Sequence, residues 1–217
     1  MPHPASLLPV GLIRLGLPLP PVAHDEAHRL GRCAVARLAI PVGAVLLDGH
    51  DNLGPLAPGG QVLLRVLGTS FAVRVSTDQP AALTAGVQAV RLAAHRVGRG
   101  DVLVLRAVAA VHAGRVASSG GADLIRVIEG EAHELDGAAA VRELTVRRLE
   151  HRWQRAHRGA DAWRTPLPPW AMRLSRLLRE VRGVLGPGAF ELTFADDGRT
   201  CRLLGVRPQA RSGRLMQ

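Results

Sequence analysis

Two residue types close to the C-terminus could do chemistry together. Glu191 lies in the stretch Phe190-Glu191-Leu192-Thr193-Phe194, and Arg207 closes the stretch Leu203-Leu204-Gly205-Val206-Arg207-Pro208, with an Asp196-Asp197-Gly198 turn between them. A hairpin with this turn sets a carboxylate on one strand and a guanidinium near the end of the other. Such a pair suits a magnesium-bound polyphosphate: the carboxylate takes the metal and the guanidinium takes phosphate oxygens.

The elements that must position this pair are legible in outline. Leu174, Leu177, Leu178, Val181 and Leu185 share one face of a helix over 172–185, and Gly186-Pro187-Gly188 breaks it. Arg173, Arg176, Arg179 and Arg182 lie on or near the other face and read as a solvated row. Upstream, the pattern predicts a strand over 10–15, a helix over 26–38 with Asp25 as N-cap, and a strand over 44–47. A hairpin follows, with strands over 61–67 and 71–76 around Gly68-Thr69-Ser70. A helix lies within 81–97, and the continuous apolar run 102–111 reads as a buried strand. His112-Ala113-Gly114 and Ser118-Ser119-Gly120-Gly121 read as turns, with strands over 115–117, 124–129 and 145–149. Strict βαβ alternation is absent, which argues against a plain doubly wound sheet.

Bulk properties bound the function. A hydrophobic content of 47% in 217 residues implies a folded chain with one sizeable core or two small lobes. The formal net charge is +10, and the cations are all arginine, since lysine does not occur. A phosphate contact by a side-chain cation must therefore come from arginine or histidine. A polyanion partner fits this charge, but with aromatics at 3% and no tyrosine, base-stacking platforms are scarce, so nucleic acid is not favoured. Cys33 and Cys201 form no CxxC and no cluster with histidine, which implies neither zinc nor a disulfide framework and points to a reduced cytoplasmic setting. The proline-rich start lacks a signal-peptide pattern, and no run reaches the roughly 20 apolar residues of a membrane span. The histidines show no HExxH spacing, and nothing suggests a Ser/His/Asp triad.

The motifs occur in an order that resembles a known family. Glu191, the Asp-Gly turn and Leu203-Leu204-Gly205-Val206-Arg207-Pro208 resemble the close of the nucleotide-binding domain of the phosphoenolpyruvate synthase and pyruvate phosphate dikinase family, which reads D-I-E-W, D-G, L-L-Q-x-R-P. Leu30–Leu47 resembles that domain's opening, G-G-K-x-x-x-L followed by G-[IL]-P-V-P-x-G-F, with Arg32 at the lysine. Phe71–Asp78 and Leu83–Gly86 resemble V-A-V-R-S-S-A-x-x-E-D and S-x-A-G, with Arg74 as the phosphate-facing arginine. Arg106 stands where the family has glutamine, and Gly205 stands at the glutamine of the closing motif.

The resemblance implies an α+β, ATP-grasp-like fold, in which two lobes with mixed or antiparallel sheets and flanking helices hold ATP and Mg2+ between them. It implies an extended leader over 1–21, an N-terminal lobe over 22–100, a C-terminal lobe over 101–208 and a tail over 209–217. Arg32, Arg74 and Arg207 would contact the nucleotide, Arg74 and Arg207 would act in phosphoryl transfer, and Glu191 would hold magnesium. The acceptor would be a phosphohistidine domain on a separate protein partner. Two alternatives stand beside an active phosphotransferase of the dikinase type: a non-catalytic scaffold or regulatory descendant, and an arginine-rich nucleic-acid-binding module. Each residue has a plainer role as well. Glu191 alternates with apolar neighbours and can be a surface strand residue, Arg74 can pair with Asp78, Arg207 can cover the core with its stem, and Arg32 can be solvated.

Overall fold

A computed structural model describes residues 11–21, 23–49, 60–98, 100–119, 121–131, 141–147, 152–154 and 167–209. The expected leader before residue 11 and the tail after residue 209 lie outside the described residues. The chain divides into two compact units, Met1–Ala109 and Ala110–Gln217.

The first unit contains β1 (Leu12–Arg14), α1 (Asp25–Val35), β2 (Gly43–Leu46), β3 (Gln61–Val66), β4 (Ala72–Ser76), α2 (Pro80–Arg96) and β5 (Val102–Arg106). The strands form one sheet in the order β1-β2-β5-β3-β4, every neighbour antiparallel. β5 is its central strand, and the unit ends at Ala109. The strand within this apolar run ends at Arg106, short of residue 111. Alternation along β3 sends Val62, Leu64 and Val66 to one face, where they meet Val87, Val90 and Ala94 of α2 in an apolar core. On the opposite face Arg65 is 6% exposed, and its guanidinium meets Glu26 of α1 at 2.5 Å. Glu26 also accepts the Gly68 N–H at 2.8 Å, so the hairpin turn and α1 are held by one carboxylate.

Helix α1 begins one residue earlier than expected. His24 and not Asp25 is the N-cap: its Nδ1 accepts the Glu26 N–H at 3.1 Å, and its own N–H donates to Asp101 at 3.2 Å. Asp25 instead sits in the first turn, where a carboxylate favours the helix dipole, and pairs with Arg29.

The second unit contains β6 (His112–Ser118), β7 (Ala122–Glu129), β8 (Arg142–Arg147), β9 (Arg152–Gln154), α3 (Pro169–Leu185), β10 (Phe190–Asp196) and β11 (Cys201–Pro208). They form a second antiparallel sheet in the order β11-β10-β6-β7-β8-β9. The expected turn at 112–114 is strand. Gly114 is there for space: a Cβ on it would collide with the Arg126 carbonyl and come within 2.9 Å of the Phe194 ring.

Helix α3 covers one face of this sheet with Trp170, Leu174, Leu177, Leu178 and Val181, all buried. The arginine row on this helix is not uniformly solvated. Arg173 and Arg182 flank the apolar stripe on its two sides, and each reaches a buried aspartate. Arg173 pairs with Asp196 at the end of β10, and Arg182 pairs with Asp123 in β7 and sits 5.9 Å over the Phe190 ring. Arg176 and Arg179, farther round the helix, are the exposed pair. Helical periodicity ranks positions by angle to the core, but a flanking arginine finds a buried acid only once the sheet is placed beneath it.

Candidate functional site

The face of the second sheet turned away from α3 carries the hairpin residues singled out above. In β10, Phe190, Leu192 and Phe194 go under the helix, so Glu191 and Thr193 stand on the other face. The register pairs Glu191 directly with Arg207 and Thr193 with Gly205; a bulge then shifts the pairing so that Phe194 meets Leu203. Across the other edge of β10, Glu191 faces Ala117 and Thr193 faces Arg115. One strand further, Ala117 faces Leu124 and Arg115 faces Arg126, and Arg126 in turn faces Glu143.

Glu191 and Arg207 touch. Arg207 donates from Nη2 at 2.8 Å and from Nε at 3.1 Å to Oε2 of Glu191, and both side chains are a little under one-third exposed. This is a charge-assisted, two-nitrogen contact on one carboxylate oxygen. Arg126 and Glu143 form a second, more exposed pair at 3.0 Å.

The remaining sequence candidates lie in the first unit. Arg32 is exposed in the last turn of α1. Arg74 is half-buried in the edge strand β4, opposite Leu63 and on the same face as Arg65. That is the face α1 reaches through Glu26. Arg106, at the glutamine position, ends β5 exposed. Asp78 is exposed just after β4.

Magnesium prefers an octahedral set of oxygens with one or two carboxylates. Glu191 is the carboxylate offered beside Arg207, which already bonds its Oε2; Glu143, farther along the face, is paired with Arg126. The neighbours of Glu191 on the face are Ala117, Thr193 and Gly205, then the cation Arg115. Among the described residues, no three histidine, cysteine or acidic side chains gather as a metal set. These donors do not fit a magnesium ion. They do suit phosphate oxygens, which arginine forks bind well.

Arg115 and Arg126 carried no role in the sequence. Both occur in short strands with period-two alternation, which assigns each to a face of its own strand. Bringing them opposite one another requires the register of the β6–β7 hairpin, where Ser118 pairs with Asp123.

The fold is ATP-grasp-like: an α+β arrangement of two antiparallel sheets and flanking helices. A carboxyaminoimidazole ribonucleotide synthase from Aspergillus clavatus, complexed with ATP, matches with a TM-score of 0.50 at 10% identity, over 84% of this chain and 44% of that one. A D-alanine-D-alanine ligase from Helicobacter pylori matches with a TM-score of 0.48 at 8% identity, over 84% and 49%. A RimK domain ATP-grasp protein from Sphaerobacter thermophilus matches with a TM-score of 0.46 at 18% identity, over 83% and 57%. The chain thus spans about half the length of the solved structures it matches. No protein-family model matches the sequence, and no curated protein matches it. Among the described residues, no helix is long and apolar enough to cross a membrane.

Proposed function

We propose that this chain is a divergent nucleotide-binding domain of the phosphoenolpyruvate synthase and pyruvate phosphate dikinase type, retained for binding ATP and not for phosphoryl transfer. It acts in the cytoplasm as a scaffold or regulatory partner of a separate protein that bears a phosphohistidine domain. The observation that carries this reading is the Glu191–Arg207 pair. The two motif residues meet across a hairpin within an ATP-grasp-like fold, yet one carboxylate oxygen already bonds the guanidinium and Gly205 beside it has no side chain. Phosphoryl transfer relies on positioning and on charge neutralisation by metal ions and cations. A site with one engaged carboxylate supports binding better than transfer.

The order of motifs from Leu30 to Pro208 supports the family, and Arg32, Arg74 and Arg207 are its proposed nucleotide contacts. The nucleic-acid reading is weakened, because Arg173 and Arg182 of the helix row are tied to buried aspartates.

Equilibrium dialysis with labelled ATP, followed by chromatography of the recovered nucleotide, tests the proposal. Saturable retention of unchanged ATP is expected. Failure to retain ATP rejects nucleotide binding, and conversion of the bound ATP rejects the non-catalytic reading.

A further inference from the structure

We propose that Asp48–Gly49, just after β2, is a site of spontaneous covalent modification, where the native fold lets the Asp48 carboxyl close onto the Gly49 nitrogen and convert the aspartate to isoaspartate. An Asp-Gly pair is the sequence requirement, because glycine leaves its own nitrogen unshielded. The chain has three such pairs: Asp48–Gly49, Asp136–Gly137 and Asp197–Gly198. Asp136–Gly137 lies outside the described residues, and the structure treats the other two in opposite ways.

At Asp48 the reacting groups are adjacent and open. The Gly49 N–H donates to Oδ1 of the Asp48 side chain at 3.0 Å, so the nitrogen already sits beside the carboxyl it would attack. The Asp48 side chain is 59% exposed, and its ion pair with Arg91 is long, at 3.5 Å. Gly49 has a φ of +77°, and nothing lies within 4 Å of the place its Cβ would take. Gly100 makes room on the other side, since a Cβ there would meet the Asp48 carboxyl.

At Asp197 both partners are held apart. The Gly198 N–H donates to Asp196 at 3.0 Å and not to the Asp197 side chain. Oδ1 of Asp197 accepts the Arg199 N–H at 2.9 Å and the Thr200 N–H at 2.7 Å, and Oδ2 faces Arg202 at 3.5 Å. Burial pushes this carboxyl up, but the two N–H groups and the Arg202 charge outweigh burial and hold its pKa below the ordinary value. The carboxylate anion so favoured accepts a nucleophile less readily than the neutral acid.

The step balances without a co-reactant. The Gly49 nitrogen bonds to Cγ of the protonated Asp48 carboxyl, and the carboxyl hydroxyl leaves with the amide proton as water. Water then adds to one carbonyl of the cyclic imide and breaks that C–N bond. Opening at the main-chain carbonyl routes the backbone through Cβ and Cγ and leaves the α-carboxylate as the side group. The extra main-chain carbon falls next to two anchors of the first unit. The Asp48 N–H donates to Asp101, which also accepts the His24 N–H at the start of α1, and the Leu47 carbonyl accepts from Arg91 at 2.7 Å.

Incubation of the full chain in heavy-oxygen water at neutral pH and body temperature for several weeks tests the assignment, because each passage through the imide leaves a solvent oxygen on the residue. Cleavage after arginine separates 38–65 from 183–199, and electron-transfer fragmentation locates the label and tells isoaspartate from aspartate. In the native protein Asp48 is expected to gain label and isoaspartate several-fold faster than Asp197. In denaturant the two rates should converge, since the sequence requirement is the same. Asp48→Glu should stop the reaction in 38–65, because glutamate needs a larger ring that forms far more slowly. Circular dichroism checks that this variant is folded, and the wild-type comparison needs no variant. Equal native rates at Asp48 and Asp197 overturn the inference. So does label in 38–65 that falls on Asp51 or Asn52 and not on Asp48, or that persists in Asp48→Glu.

Discussion

Arg173 grips Asp196 with two nitrogens: Nε meets Oδ2 and Nη2 meets Oδ1, each at 2.7 Å. Asp196 is fully buried, and its Oδ1 also accepts the Gly198 N–H at 3.0 Å. One carboxylate thus joins the start of α3, the end of β10 and the turn into β11. Removing the arginine leaves a buried charge without its counter-ion, so Arg173→Ala is expected to destabilise the fold by about 3–5 kcal/mol. Urea unfolding of the wild type and of the variant measures this. Arg176→Ala, on the exposed part of the same helix, should stay within about 0.5 kcal/mol of wild type.

Acid should unfold the first unit through Glu26. Burial raises the pKa of this carboxyl, but the Arg65 guanidinium and the Gly68 N–H outweigh burial and hold it below its ordinary value. A lowered folded-state pKa gives stability that is present above the ordinary carboxylate range, at about pH 4.3, and is lost as pH falls from there through the lowered value. Glu26→Gln should flatten this acid limb and destabilise the protein at neutral pH, where Arg65 is left buried without its counter-charge. Thermal unfolding between pH 3 and pH 7, on the order of one scan per pH unit, checks both signs.

Cys33 and Cys201 should be inert thiols in the native state. Both are buried; burial pushes Cys33 up to about 11, and burial with the nearby Asp196 charge pushes Cys201 higher still. Because the thiolate is the reactive form, a colorimetric thiol reagent at neutral pH should label neither at an appreciable rate. Both should react at once in denaturant. Rapid native labelling of Cys201 would show that the β10–β11 end of the sheet opens.

Gly114→Ala should cost about 1–3 kcal/mol, because the added methyl has the Arg126 carbonyl and the Phe194 ring in its way. Gly183→Ala is the control: nothing lies within 4 Å of its Cβ, and alanine favours a helix interior, so stability should rise slightly. Chemical denaturation of the pair separates a packing requirement from a general sensitivity to glycine replacement.

Much of the fold is legible locally. The periods of two and 3.6 mark the 61–66 and 72–76 hairpin, the C-terminal helix and the 190–208 hairpin, because each buries one face and the apolar residues must follow the geometry of the element. Short-range punctuation misleads where a residue serves distant neighbours. Gly114 looks like a turn because glycine is usual in turns, yet it answers to Phe194 across the sheet. His24 caps α1 although Asp25 has the more usual side chain for it; the aspartate's place in the first turn suits the dipole equally well.

By itself the sequence determined the closing hairpin that carries Glu191 and Arg207, and the rule that any side-chain cation on phosphate must be arginine or histidine. These follow from local periodicity, a turn motif and composition, none of which needs a distant partner; the class of fold was implied by the resemblance of the ordered motifs to a known family. The tertiary structure alone decided which charges are engaged: Arg173 with Asp196, Arg182 with Asp123, Glu26 with Arg65, and Arg115 opposite Arg126. A long-range ion pair depends on strand register and on the seat of a helix. A one-residue change in either sends the same side chain to a different neighbour.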